Sequence, residues 1–171
     1  IKNKTEIKSM IEAHIKDGVA VTKFLYWIKN SNIRKLDEIK VEKKLESFRK
    51  QSKNYLFPSF STIAGSGPNG AIIHYRSNKK SNRKLNKDHL LLVDSGGQYK
   101  WGTTDITRTI SFSDPSKKTK ELYTRVLKGH IAVAMSKIDK LKNGNNIDKL
   151  ARKSLNSCLL YTSDAADERN S

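Results

Sequence analysis

The stretch that decides the fold runs Asp94-Ser95-Gly96-Gly97-Gln98-Tyr99-Lys100-Trp101-Gly102-Thr103-Thr104-Asp105-Ile106-Thr107-Arg108-Thr109. A continuous apolar run, His89-Leu90-Leu91-Leu92-Val93, leads into it and suits a strand buried on both faces. Lys100-Trp101-Gly102 marks a hairpin tip, and Thr104 to Phe112 forms the returning strand. If Tyr99 faces Gly102, then Asp94 faces Thr107. Asp105 becomes a diagonal neighbour of Asp94 on the same face, within about 5–8 Å. Two converging carboxylates repel, so either one is protonated or cations sit between them. Two divalent ions about 3.5–4 Å apart would suit carboxylate, His and water ligands. The plainer reading is that each Asp caps a turn beside a glycine, and spacing alone favours it.

Working outward, Lys4 to Asn30 has helical periodicity. Ile7, Met10, Ile11, His14 and Ile15 make a stripe that Val19, Phe24, Leu25 and Ile28 continue, with Gly18 at the junction of the halves as either a break or a close-packing point. A second helix is expected over Glu38 to Gln51, with Val41, Leu45 and Phe48 inward and Asp37 as its N-cap. Phe57-Pro58-Ser59-Phe60 opens an extended stretch. Phe60 to Gly65 reads as a strand, Gly65-Ser66-Gly67-Pro68-Asn69-Gly70 as a turn-rich loop, and Ala71 to Tyr75 as another short strand. Beyond the hairpin, Asp114-Pro115-Ser116 starts an amphipathic helix from Lys117 to about Lys142, with Leu122, Val126, Ile131, Ala134 and Ile138 on one side. Asn143-Gly144-Asn145-Asn146 closes it, and Ile147 to Leu155 adds one or two helical turns. The pattern predicts an α/β (α+β) fold, a mixed or antiparallel sheet flanked by amphipathic helices.

The 171 residues carry a formal charge of +17. Lys and Arg are spread over nearly every segment, which suits solvated surface better than a phosphate-binding groove. The one cluster, Arg76 to Lys87, has no interleaved aromatics beyond neighbouring Tyr75, so it reads as an exposed loop and no nucleic-acid partner is expected. No apolar run approaches the length of a membrane span, and the first residues lack a signal-peptide pattern. The single cysteine, Cys158, leaves no disulfide framework and suits a reducing compartment such as the cytosol.

The words around the two aspartates change the balance. Asp94 to Tyr99 followed by Gly102 to Thr109 closely resembles the signature of Xaa-Pro aminopeptidases, in the pita-bread metallopeptidase superfamily. Pro58-Ser59-Phe60 with Ile63, and Gly67-Pro68-Asn69-Gly70-Ala71-Ile72-Ile73-His74-Tyr75, resemble the segment that precedes it. Leu127-Lys128-Gly129-His130-Ile131-Ala132 resembles the helix that follows. The resemblance implies that Asp94 binds one metal and Asp105 bridges two. It implies that His74 points into the active site, where it would contact the substrate or donate to a developing oxyanion. Read without it, His74 is a strand-end residue capping a turn. The implied cofactors are two divalent ions, most simply manganese, because carboxylate-rich sites suit hard cations. They would activate a hydroxide against the peptide bond before a proline at position two. The full-length relative would be a cytoplasmic homodimer. His14 and His130, on helices, and His89 are assigned no ligand role, the first two being expected packed or half-buried.

The family completes its site with one further His and two Glu in segments that do not occur here, so the chain is expected to be an inactive fragment. Residues 1–157 are read as part of a catalytic domain. From Cys158 the sequence resembles translated sequencing adapter, so 158–171 are expected to be a non-native tail. The competing function is a metal-free pita-bread module that binds basic proteins or nucleic acid. Retention of Asp94 and Asp105 favours the enzyme.

Overall fold

The computed structural model describes residues 1–137 and 143–157. They divide into two compact units between Asp114 and Pro115.

The first unit opens with helix α1 (Lys4–Lys29). Asn3 caps it, accepting from the Glu6 amide at 2.9 Å, while Glu6 accepts from the Asn3 amide at 2.7 Å. Gly18 is neither a break nor a close-packing point: the helix is continuous, and an added Cβ there would meet nothing within 4 Å. Its buried face is Ala13, Asp17, Ala20, Val21, Phe24 and Ile28. The apolar stripe read from the spacing is not the buried face throughout: Ile7, Ile11, Ile15 and Val19 are 48%, 57%, 61% and 53% exposed, while Phe24 and Ile28 are buried. Close packing is the reason. Gly102 at the hairpin tip lies directly against Ala13, an approach that only small residues permit.

Helix α2 (Glu38–Arg49) ends two residues short of the expected Gln51 and is capped by Asp37, which accepts from the Lys40 amide at 2.9 Å. Its Val41 and Leu45 join Val21, Phe24, Ile28, Ala64, Leu91, Val93 and Ile110 in the core, with Phe48 packed at the edge.

The strands form two antiparallel three-stranded sheets. One has the order β1 (Tyr55–Pro58), β4 (Gly97–Tyr99), β5 (Gly102–Thr103); the other β2 (Ile63–Ser66), β3 (Leu91–Ser95), β6 (Ile106–Ile110). The expected strand Phe60–Gly65 begins later, at Ile63. The long hairpin therefore crosses from one sheet to the other at Gly96 and at Thr104–Asp105. Strand β3 is not buried on both faces. Leu91, Val93 and Ser95 face the core, while Leu92 and Asp94 face a partly open side.

The strand expected at Ala71–Tyr75 does not form. Gly67–Ala71 is a 3-10 turn, and a second turn follows it, closed by the Tyr75 amide donating to the Ile72 carbonyl. Gly65 and Gly70 cause this. A Cβ on Gly65 would meet the Gly70 nitrogen at 2.7 Å, and one on Gly70 would lie 3.6 Å from the Leu92 Cβ. The loop folds back on itself over Leu92 and leaves no partner strand for Ala71–Tyr75.

In the second unit, helix α3 (Lys117–Ala134) is capped by Ser116. It stops well before the expected Lys142; residues 138–142 lie outside the described residues. Helix α4 (Gly144–Asn156) is capped by Asn143, which accepts from the Asn146 amide at 3.1 Å. The Asn143–Asn146 run thus starts a helix, because an Asn side chain satisfies a first-turn amide. The inward side of α3 also differs from expectation. Gly129 is buried against the Ala151 backbone and Leu122 is partly buried, whereas Val126 and Ile131 are 57% and 44% exposed. Arg125 donates to the Ser154 carbonyl and the Ser157 hydroxyl, each at 3.1 Å. Ile138 and the expected tail, 158–171, lie outside the described residues. No helix among the described residues is long and apolar enough to cross a membrane.

Candidate metal centre

The hairpin register is the one expected: Tyr99 pairs with Gly102 and Asp94 with Thr107. Thr107 Oγ1 donates to Asp94 Oδ1 at 2.7 Å, which orients that carboxylate. Asp105 follows Thr104 at the crossing between sheets, and its carboxyl comes within hydrogen-bonding reach of Asp94. Asp105 is held above its ordinary value, first by loss of solvent around the group, then by the Asp94 charge and the shared hydrogen bond. Such a pair is relieved by a proton or by a cation. The donor set fits part of a hard-metal site, being all oxygen. Among the described residues, no group of three or more His, Cys, Asp or Glu side chains converges as a metal site.

His74 sits in the left-handed region, with φ 53°, and its side chain is exposed. Gly70 lies over Leu92, and Leu92 shares the partly open face of β3 with Asp94. The loop that carries His74 is therefore folded onto the Asp94 side of the sheet. Of the other histidines, His14 and His130 are exposed rather than packed, and His14 Nδ1 lies 2.8 Å from the Met10 carbonyl. His89 rests on Gly67 ahead of β3.

Two buried carboxylates lie behind the site, and neither is apparent from the sequence. Asp17, on α1, is fully buried. Arg49 binds both its oxygens, with Nε to Oδ1 at 2.6 Å and a second guanidinium nitrogen to Oδ2 at 3.1 Å. Tyr99 Oη donates to it at 2.9 Å and Thr104 Oγ1 at 2.7 Å, while Arg49 also donates to Ser95 Oγ at 3.1 Å. Burial pulls the Asp17 carboxyl up, but Arg49, Thr104 and Tyr99 outweigh it and hold it below the ordinary value. Burial, then the Asp17 charge, pushes the Tyr99 phenol well up, so it stays a donor. Ser95 and Thr104 each adjoin a site aspartate, so this cluster fixes both strands of the hairpin beneath Asp94 and Asp105.

The second carboxylate is Glu38, in the first turn of α2. It is fully buried and accepts from the Ser66 amide at 2.7 Å, Asn69 Nδ2 at 3.0 Å, Tyr75 Oη at 2.7 Å and the Arg83 amide at 2.9 Å. The basic loop is thus tied down at Arg83 and by the buried Leu85. The sequence signal for Asp17 is a charge in phase with Ala13, Ala20, Phe24 and Ile28. For Glu38 it is masked, because an acidic residue after an N-cap suits the helix dipole without further cause.

The model of metallopeptidase family M24 matches residues 8–166. The chain belongs to this family. It is 45% identical over 157 residues to the Xaa-Pro aminopeptidase ApepP of Drosophila melanogaster, covering 91% of this chain and 26% of that protein. To Aminopeptidase P2 of Arabidopsis thaliana it is 44% identical over 160 residues, covering 91% and 22%. Among solved structures, X-prolyl aminopeptidase from Caenorhabditis elegans, described as a cytosolic enzyme with a di-nuclear active site, superposes with a TM-score of 0.82 at 33% identity. That match covers 93% of this chain and 26% of the other. Xaa-Pro dipeptidase from Bacillus anthracis gives 0.75 at 27% identity, covering 93% and 42%. The fold is part of the pita-bread fold of these M24 enzymes. The chain spans about a quarter of the length of the curated relatives it matches.

Proposed function

We propose that this chain is a fragment of a cytosolic, homodimeric Xaa-Pro aminopeptidase that uses two manganese ions and removes the residue ahead of a proline at position two. The observation that carries this reading is the convergence of Asp94 and Asp105 on the open face of the hairpin. In the proposal Asp94 would be a ligand to one ion and Asp105 a ligand shared by both. The ions supply the nucleophile, by making a water acidic enough to attack at neutral pH. Thr107 orients Asp94 from the neighbouring strand, and the Asp17–Arg49 cluster keeps the two aspartates at a fixed separation. His74, on its folded-back loop, donates to the carbonyl of the bond being cut. Asp94 and Asp105 are two of the ligands such a site needs. No nucleic-acid partner is part of this reading.

The test uses the full-length protein loaded with manganese and two peptides that differ only in Pro or Ala at position two. Release of the first residue from the proline peptide alone supports the reading. No release, or equal release from both, ends it.

A further inference from the structure

We propose that Glu38 is a positioning residue for His74, acting through the loop from Ser66 to Arg83. This rests on the reading of His74 as a substrate-contacting residue. Glu38 Oε1 accepts from the Ser66 amide at 2.7 Å and from Asn69 at 3.0 Å; Oε2 accepts from Asn69 at 3.1 Å, Tyr75 Oη at 2.7 Å and the Arg83 amide at 2.9 Å. These donors bracket His74 on both sides, and Tyr75 is its immediate neighbour. Tyr75 and Asn69 are themselves buried, at 5% and 6% exposure. Ser81 closes the circuit, its carbonyl accepting from Asn69 Nδ2 at 3.0 Å.

Two further observations show why the loop needs such a hub. Among the described residues, His74 is the only non-glycine residue with positive φ, at 53°, and a side chain persists there only where its surroundings over-determine the backbone. Locally, the Tyr75 amide braces the turn by donating to the Ile72 carbonyl at 3.2 Å. Further constraint comes from either side. The Gly65–Gly70 approach holds the loop down on Leu92, and Glu38 holds Asn69 and Tyr75 from behind. A buried carboxylate is costly unless its lone pairs are filled. Here the groups that fill them belong almost wholly to the His74 loop.

The experiment is a double-mutant cycle in the full-length manganese enzyme, with Glu38→Gln and Tyr75→Phe each made alone and on His74→Ala. Both keep shape while removing acceptor or donor capacity, and Tyr75→Phe serves if Glu38→Gln does not fold. Misplacing His74 by about 1 Å is expected to lower kcat/KM on the order of 10- to 100-fold, with manganese content unchanged. On the His74→Ala background the same changes cost less than about twofold, because residues that act as a unit are not additive. Additive losses, or loss of manganese in step with activity, overturn the proposal. If the unaltered enzyme cleaves no Xaa-Pro peptide, the parent reading fails, and amide hydrogen exchange decides the positioning claim. Exchange at Ile72–Tyr75 rises at least about tenfold in Tyr75→Phe while Asp94–Thr107 is unchanged. Equal change in both segments, or none in the loop, overturns it.

Discussion

Thr104 Oγ1 donates to Asp17 Oδ2 at 2.7 Å, across 87 residues of sequence. The residue after Thr104 is Asp105, so the first helix of the chain reaches directly beneath the candidate metal centre. Asp17 also receives Tyr99 from the other hairpin strand, and Arg49 extends the cluster to Ser95. The site's geometry is thereby set by a buried ion pair and not by the hairpin alone.

Removing one member of that pair strands the other in the core. Asp17→Ala and Arg49→Ala are each expected to destabilise the fold by about 3–5 kcal/mol. Chemical denaturation of the single variants and the double variant measures this, and the double is expected to cost less than the sum.

The same carboxylate gives a pH dependence of defined sign. Asp17 is held below its ordinary value in the folded state. Its stabilisation is therefore fully present above about pH 4, the value of an unfolded aspartate, and is lost as pH falls through the lower folded value. Denaturation midpoints of the unaltered protein and of Asp17→Asn, compared at pH 7 and near pH 3, should show the gap between them narrow on acidification.

Gly96, where the hairpin crosses between sheets, leaves no room for a side chain. A Cβ there would overlap the Thr104 carbonyl oxygen and Ser59 Oγ. Gly96→Ala is expected to destabilise by about 1–3 kcal/mol or more. At Gly18, in the unbroken α1, an added Cβ would meet nothing within 4 Å, so Gly18→Ala is expected to stabilise by about 0.5–1 kcal/mol. Thermal melts of the two variants should move in opposite directions.

Thr107→Val removes the hydroxyl that orients Asp94 while keeping the shape of an exposed strand residue. Isothermal titration of the full-length protein is expected to show manganese binding weakened about 10-fold or more. Stability should change by less than about 1 kcal/mol.

The hairpin is legible in the sequence because its tip is short. Once Tyr99 faces Gly102, every pairing down to Asp94–Thr107 follows, and the two aspartates land together. The Asp37 cap and the core positions Val41 and Leu45 are legible for the same reason, since local pattern decides them. What local pattern does not convey is close approach. Ala71-Ile72-Ile73-His74-Tyr75 is rich enough in β-branched and aromatic residues for a strand, and the contact of Gly65 with Gly70 folds it away. The isoleucines of α1 make as regular a stripe as the true core face, which carries Asp17 in its middle and small alanines beside it. Both buried carboxylates, Asp17 and Glu38, are hidden because the partners that neutralise their cost come from distant segments.

Asp94 and Asp105 as two of the ligands of a two-metal site is the claim on which the rest depends. Manganese content and electron paramagnetic resonance of the full-length protein test it most directly. Two ions per chain with a spin-coupled signal are predicted, the coupling being lost in Asp105→Ala, where no carboxylate at that position bridges them. A full-length protein that retains no manganese, or whose coupled signal survives Asp105→Ala, would contradict it.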